Sequence, residues 1–177
     1  MSRTNPYKKK RRSATRTLLM YGEGLGEEMF LKYLRGLYSR DSGVTITIRN
    51  GKGGTATNII TNAVNEPGAF NRRVVIFDND KSVQEMNRAR TEAHRQGIEL
   101  LENSPCLEAT LLAILRPGQN FSGRTSAWCK SEFESNYLDK KKRTEKAEYG
   151  KIFSKTILET RRASVSALNT IIALMEQ

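Results

Sequence analysis

Four short apolar segments alternate along residues 17–116 with segments of helical periodicity, and this alternation constrains the fold more than any other feature of the sequence. Apolar segments of about 4–8 residues bounded by glycine or aspartate favour buried strands, and the clearest is Val74–Phe77, followed by Asp78-Asn79-Asp80. A β-α-β-α order predicts an α/β, Rossmann-like fold, a mostly parallel sheet with flanking helices. Strands are expected at 17–21, 44–48, 72–77 and 98–101, and helices at 27–38, 55–65, 82–96 and 105–115.

The charge distribution separates two flanking regions from this core. The net charge is +11, of which residues 1–17 carry +7, residues 18–115 carry −1 and residues 116–177 carry +5. A run of like charges such as Lys8–Arg12 repels itself and predicts disorder when the chain is free. We therefore expect a basic, disordered arm at 1–16, an α/β core at 17–116 and a basic helical extension at 117–177, with helices near 132–142 and 151–175.

Basic side chains of both flanking regions, and of the glycine-rich turn at 51–55, are candidates for binding nucleic-acid phosphates. The same residues are also compatible with a solvated tail, a solvated helix face and a plain connecting turn. The candidates are Lys8, Lys9, Lys10, Arg11, Arg12, Lys52, Lys140, Lys141, Lys142 and Arg143.

Several classes of protein are excluded by what the sequence lacks. No segment approaches the roughly 18 apolar residues that a membrane-spanning helix needs, so no membrane partner is expected. The basic N-terminus has no apolar region of the kind found in secretory signals. Cys106 and Cys129 are too few for a disulfide scaffold and have neither zinc nor thioredoxin spacing, so a reducing, cytoplasmic location is expected.

Acidic residues follow the predicted strands at the edge where their carboxyl ends meet. Glu23 follows the first strand, and Asp78 and Asp80 follow the third. Glu27 opens the first helix, and Glu108 lies in the first turns of the helix after the fourth strand. Carboxylates that converge in this way repel one another unless a cation lies among them, and oxygen ligands favour Mg²⁺ or Mn²⁺ over zinc. Taken alone, Asp78 and Asp80 are equally compatible with a structural cap or turn.

The order of these motifs resembles a known signature. Gly22-Glu23-Gly24 followed by Phe77-Asp78-Asn79-Asp80 resembles the Toprim signature of topoisomerases, primases, recombination factors and OLD-type nucleases. The segments 23–27, 75–80 and 103–108 are more closely similar to the RloB-like Toprim family of bacterial defence loci. The third segment departs from the family pattern, because its Ser-Asn order is swapped, Leu107 replaces an aromatic residue, and Ala109-Thr110 replaces the residues that lead to a tryptophan. Gly26 stands where the family usually has threonine.

The resemblance implies a Toprim fold and a metal-dependent nuclease that cleaves DNA or RNA, with tRNA among the RNA substrates. It implies that Glu23 is the general acid or base, and that Glu23, Asp78 and Asp80 are catalytic and bind the metal. Glu27 would support the metal and Glu108 would line the site. Such proteins are effectors in phage defence, often encoded beside an ABC-type or OLD-type ATPase that controls them. The alternative is a non-catalytic Toprim module that binds nucleic acid or a nucleotide and regulates the ATPase; whether the chain forms a homo-oligomer stays open.

Overall fold

The structure, a computed structural model, describes residues 16–40, 42–51 and 53–177. Four parallel strands form one sheet in the order β2-β1-β3-β4, which confirms the expected α/β fold of the Rossmann-like type. The strands are β1 (Arg16–Gly22), β2 (Val44–Asn50), β3 (Arg72–Asp78) and β4 (Glu99–Asn103). The helices are α1 (Leu25–Tyr38), α2 (Ala56–Asn65), α3 (Val83–Arg95), α4 (Leu107–Leu115), α5 (Ser126–Asn136), α6 (Lys146–Ile152), α7 (Lys155–Arg162) and α8 (Ser166–Glu176), with a 3₁₀ helix at Lys140–Thr144.

Local sequence signals account for where the core helices begin. The Thr55 side chain accepts a hydrogen bond from the backbone N–H of Asn58, and the Ser82 side chain accepts one from Glu85. Each side chain thereby satisfies one of the amide groups that a helix leaves unpaired in its first turn. The starts that the sequence predicts for α2 and α3 are therefore confirmed.

Alternating side chains of the strands build two hydrophobic clusters, one on each face of the sheet. Leu19 and Tyr21 of β1 pack with α2 and α3 on one face. Leu18 and Met20 point to the opposite face, where they pack in one cluster with α1 and α4–α8. Because successive side chains of a strand point to opposite faces, β1 is buried from both sides, as expected of a central parallel strand.

The helices after residue 117 complete the second cluster rather than packing separately from it. Phe153 is fully buried, and its ring centroid lies 5.5 Å from that of Phe30 in α1 and 6.4 Å from that of Phe133 in α5. The predicted helix at 151–175 is divided between the end of α6, α7 and α8. The Ser154 side chain begins α7 by accepting a hydrogen bond from Ile157 N–H, and α8 begins after Val165. The C-terminal region is helical, as expected, but it forms part of the core that covers α1.

Two parts of the sequence-based predictions lie outside the described residues. These are the basic arm, with Lys8, Lys9, Lys10, Arg11 and Arg12, and Lys52 in the glycine-rich turn. In the part of the chain that the structure describes, no helix has the length and apolar character needed to cross a membrane.

Candidate active site and metal site

The order of the strands places a switch point at the carboxyl edge of the sheet. The chain passes from β1 to β2 on one side, whereas β3 and β4 lie on the other side of β1. Loops that leave neighbouring strands in opposite directions open a crevice at this switch point, where α/β proteins place their ligands. Glu23 follows β1 and Asp78 ends β3, so two of the predicted site residues lie directly beside the switch point.

Glu23 directly follows β1, and its side chain is held from two sides. Its Oε2 accepts a hydrogen bond from the backbone N–H of Asp78 at 3.2 Å. Its Oε1 lies 2.9 Å from Nζ of Lys81, and 16% of the side chain is exposed. Glu23 is therefore fixed in position while remaining accessible to solvent.

Glu27 is buried and lies in the first turn of α1. Its Oε2 accepts a hydrogen bond from Gly24 N–H at 3.0 Å, which completes a capping interaction for α1. Burial raises the pKa of Glu27, and the charges of Glu108 and Glu23 raise it further. Glu27 is thus a buried carboxyl group that supports the helix start and faces other carboxylates.

Gly22 permits this close approach of α1 to β1. A Cβ atom added at Gly22, the last residue of β1, would lie 2.7 Å from Cβ of Glu27 in α1. A Cβ atom added at Gly36, further along α1, would meet nothing within 4 Å. A contact of 2.7 Å between carbon atoms requires the backbone to move. The glycine before Glu23 therefore sets the distance between the strand end and the helix that carries Glu27.

We expect Gly22→Ala to lower the free energy of unfolding by about 1–3 kcal/mol, because the added methyl group overpacks the strand–helix contact. Gly36→Ala is the matched control and is expected to raise stability by about 0.5–1 kcal/mol, because alanine favours a helix interior. Urea denaturation of both variants gives the two values. Equal stabilities for the two variants would show that Gly22 is not a close-contact position.

Asp78 is the most perturbed carboxyl group of the site. It is 5% exposed, and its Oδ1 accepts a hydrogen bond from Leu107 N–H at 2.8 Å, at the beginning of α4. Its Oδ2 lies 3.4 Å from Nζ of Lys130 in α5. Burial raises the pKa of Asp78 to about 8, the charges of Glu27 and Glu108 contribute in the same direction, and Lys130 opposes them. Asp78 is therefore largely protonated at neutral pH unless another cation is present.

Glu108 joins Asp78 from the first turn of α4. Its Oε1 accepts a hydrogen bond from Nη1 of Arg143 at 2.8 Å, whereas its Oε2 is buried and accepts none. One ligand atom each of Asp78, Cys106 and Glu108 lies within 4.8 Å of the other two, and all three residues are buried. Among the described residues, this is the group of three that could hold a metal ion.

The structure brings Glu27, Asp78 and Glu108 together and leaves Glu23 and Asp80 nearer the surface. Asp80 lies 3.6 Å from Lys81 and 3.7 Å from Lys130, measured to the Nζ atoms. The ligand atoms of the sequence-based set for the metal, Glu23, Asp78 and Asp80, do not all lie within 4.8 Å of one another, as those of Asp78, Cys106 and Glu108 do.

A divalent cation fits these residues. Burial, together with the charges of Glu27 and Glu108, raises the pKa of Asp78, and one oxygen of Glu108 has no hydrogen-bond donor. A cation bound among these groups would favour the carboxylate form of Asp78 and would give the unpaired oxygen of Glu108 a partner.

Sequence reasoning did not assign three basic side chains and one thiol to the acidic site, and it predicted that one of them, Arg143, binds nucleic acid. Lys81, Lys130 and Arg143 each contact a site carboxylate, and Cys106 directly precedes α4, two residues before Glu108. Only Cys106 had a local signal, its position beside Pro105 and Glu108. Lys130 and Arg143 reach the site through the packing of the C-terminal helices, which no local pattern encodes.

The predicted nucleic-acid-binding residues of the 3₁₀ helix divide into two groups. Lys140, Lys141 and Lys142 are exposed, whereas the guanidinium group of Arg143 lies against Glu108 and Glu134. An exposed basic surface thus lies on the element that also contacts the acidic site.

No model of a known protein family, no curated protein and no solved structure matches this chain.

Proposed function

We propose that this protein is a metal-dependent nuclease of the Toprim type that cleaves phosphodiester bonds of DNA or RNA. The observation that carries the proposal is the convergence of Glu27, Asp78 and Glu108 at the switch point of a parallel sheet, with Glu23 at its mouth. Perturbed carboxyl groups in a crevice are typical of catalytic sites. The similarity of segments 23–27 and 75–80 to RloB-like Toprim proteins supports the same assignment.

In this proposal, Asp78 and Glu108 would hold Mg²⁺ or Mn²⁺, with Glu23 and Asp80 on the solvent side. The bound ion supplies stabilisation of charge on the phosphoryl oxygens. Glu23 accepts a proton from the attacking water, since its carboxylate is accessible and fixed by Asp78 N–H and Lys81. Lys81 then keeps Glu23 in place during proton transfer, and Glu27 supports the start of α1.

The same proposal assigns the basic surface to substrate binding. Lys140, Lys141 and Lys142 are exposed and would contact backbone phosphates by releasing counterions. The RloB-like resemblance adds a role as an effector in phage defence, held inactive or triggered by an ATPase encoded nearby. Substrates to compare are DNA, RNA and tRNA.

A second candidate function is a non-catalytic module that binds nucleic acid or a nucleotide and regulates the ATPase. The observation that favours it is that the site carboxylates are paired with basic side chains, Glu23 with Lys81, Asp78 with Lys130 and Glu108 with Arg143. Networks of ion pairs of this kind also occur where the role is structural.

The purified protein is expected to cleave DNA or RNA in Mg²⁺ or Mn²⁺, and to lose all cleavage in EDTA, because the carboxylates alone would repel a phosphodiester. The measurement follows labelled DNA, RNA and tRNA by gel electrophoresis, with and without the ATPase encoded nearby. Cleavage that appears only with the ATPase supports a controlled effector. Binding of these nucleic acids without cleavage under every condition would contradict the nuclease and favour the regulatory module.

A further inference from the structure

Several large apolar side chains are exposed to solvent around the acidic site. Among the described residues, four large hydrophobic side chains are exposed, and three of them lie in the first turns of α1, α3 and α5. We call these three residues the apolar rim: Leu25 in α1, Val83 in α3 and Trp128 in α5. Each lies two residues from a side chain of the site, namely Glu23, Lys81 and Lys130. Single apolar residues are normal on a protein surface, whereas several around one site indicate a ligand or a partner.

The first turn of α5 brings Trp128 beside the acidic site. The carbonyl oxygen of Ser126 lies 4.0 Å from Sγ of Cys106. Two residues after Trp128, Nζ of Lys130 lies 3.4 Å from Oδ2 of Asp78. Because residues two apart point to different sides of a helix, Trp128 lies next to the carboxylates and not among them.

The ring of Trp128 is packed on one aromatic side chain and carries a cation. It stacks with the buried ring of Phe121, with the two centroids 6.1 Å apart and an angle of 21° between the planes. The guanidinium carbon of Arg124, an exposed residue, lies 4.9 Å from the centroid of the same indole ring. The Thr125 side chain also accepts a hydrogen bond from Trp128 N–H at 3.2 Å. A ring that is fixed before binding loses little conformational freedom when a ligand stacks on it.

We propose that the apolar rim binds unpaired bases, so that the substrate class of this site is single-stranded nucleic acid. Bases inside a duplex are stacked on one another, and only unpaired bases present a face to an indole ring or a guanidinium plane. Such stacking accepts bases of any sequence in DNA or RNA, because every base has an aromatic face. The inference rests on the proposed function, since it names the substrate of that same site.

The charges near the apolar rim favour nucleic acid over a protein segment as its occupant. Arg124 directly before α5 and Lys130 within it lie on either side of Trp128 along the chain. Residues 116–177 carry a net charge of +5, and three of their lysines are exposed on the 3₁₀ helix: Lys140, Lys141 and Lys142. A single strand offers phosphates to these basic side chains and bases to the apolar rim. A protein segment would have to be both acidic and apolar to match the same surface.

The test measures binding to the full-length protein in EDTA, where the proposed cleavage is stopped. Trp128 is the single tryptophan of the chain, so its fluorescence reports contact at the apolar rim directly. We expect DNA and RNA strands of about 12 nucleotides without secondary structure, a length within the usual range of single-strand sites, to quench this fluorescence. Blunt duplexes of the same length, and sugar–phosphate strands that lack bases, are expected to leave it unchanged.

Trp128→Ala is expected to weaken single-strand binding about 5- to 150-fold, the range that corresponds to the loss of one base–aromatic stack. Trp128→Phe is expected to keep most of the affinity, because a phenyl ring still stacks on a base. Ile157→Ala is the matched control, since Ile157 and Trp128 are each 36% exposed but Ile157 lies in α7, outside the apolar rim. Fluorescence anisotropy of a labelled strand gives the affinities of the variants and of the unmodified protein.

Unchanged Trp128 fluorescence at saturation with single strands, equal quenching by strand and duplex, or equal affinities of Trp128→Ala and Ile157→Ala would overturn the inference. Loss of acrylamide access to Trp128 only when the ATPase encoded nearby is added would also overturn it, and would assign the apolar rim to a protein interface. The comparison of strand, duplex and base-free strand uses the unmodified protein, so it decides the question even if Trp128→Ala does not fold.

Failure of the nuclease proposal is distinguishable from failure of this inference. Quenching by single strands in EDTA, without cleavage in Mg²⁺ or Mn²⁺, would support the apolar rim as a binding surface and contradict the nuclease. Cleavage in Mg²⁺ or Mn²⁺, without quenching by single strands, would support the nuclease and contradict the role of the apolar rim.

Discussion

Asp78→Asn is expected to make the metal-free protein more stable at pH 8 by a few kcal/mol, and to abolish the cleavage proposed for it. Asp78 is buried beside Glu27 and Glu108, and its pKa is raised to about 8. The carboxylate form is therefore unfavourable in the folded protein. Asparagine has nearly the same shape and no charge, and its Oδ1 is able to accept the hydrogen bond from Leu107 N–H.

The pH dependence of this effect has a definite sign. The folded protein holds the Asp78 proton up to a pH of about 8, whereas the unfolded chain releases it near pH 3.9. The contribution of Asp78 to stability is fully present below pH 3.9 and is lost as the pH rises to about 8. Each unit of pKa difference corresponds to about 1.4 kcal/mol, so the full loss is on the order of a few kcal/mol. Asp78→Asn removes this loss. The difference in stability between the variant and the unmodified protein therefore grows as the pH rises from 3.9 to about 8.

Thermal unfolding in EDTA, at a series of pH values between 4 and 9, measures the difference in stability between Asp78→Asn and the unmodified protein. Asp80→Asn is the matched control, because Asp80 lies two residues further on and its side chain is 24% exposed, against 8% for Asp78. Both variants are expected to lower metal-dependent cleavage by at least about 10²-fold, the effect of removing one preorganised polar group from a site. Only Asp78→Asn gains stability. Parallel stability profiles for Asp78→Asn and the unmodified protein would contradict the perturbed state of Asp78.

The fold was predictable because its signals are local. Val74–Phe77 is apolar throughout and is followed by Asp78, so a buried strand and its end are both encoded within a few residues. Thr55 and Ser82 cap their helices through hydrogen bonds that span three residues, and these too are visible in the sequence. Parallel order then follows from the alternation of strands and helices.

The arrangement within the site was only partly predictable, because side-chain direction depends on how distant elements pack. The sequence indicates that Glu23, Asp78 and Glu108 lie at one edge of the sheet, but not that Asp78 turns towards α4 and accepts from Leu107 N–H. That direction brings one carboxylate oxygen of Asp78 to Glu108, while Oδ2 of Asp78 and Oδ2 of Asp80 both lie near Nζ of Lys130. Lys130 reaches Asp78 because Cys129 and Phe133 anchor α5 in the core, and no spacing in the sequence encodes this contact.

Arg143→Met is expected to lower the free energy of unfolding by about 3–5 kcal/mol, because it leaves the buried carboxylate of Glu108 without its partner. The side chains of Arg143 and Glu108 are 17% and 7% exposed, and the shortest distance between their charged atoms is 2.8 Å. Arg143 also lies 3.0 Å from Glu134, and its guanidinium group stacks on Phe133. The 3₁₀ helix is thereby attached to both α4 and α5.

Lys142→Met is the matched control, since Lys142 precedes Arg143 in the same 3₁₀ helix and is exposed. Its effect is expected to stay within about 0.5 kcal/mol, as for most surface substitutions.

The double variant Arg143→Met/Glu108→Gln is expected to recover most of the lost stability, because the unpaired charge is then removed as well. Urea denaturation of the unmodified protein, Arg143→Met, Glu108→Gln and the double variant closes the cycle, and Lys142→Met is measured beside them. Equal midpoints for Arg143→Met and Lys142→Met would show that the ion pair is not buried in solution. Recovery in the double variant would instead show that the loss in Arg143→Met comes from the unpaired charge of Glu108, and so that the C-terminal region supplies the counter-charge of this buried carboxylate.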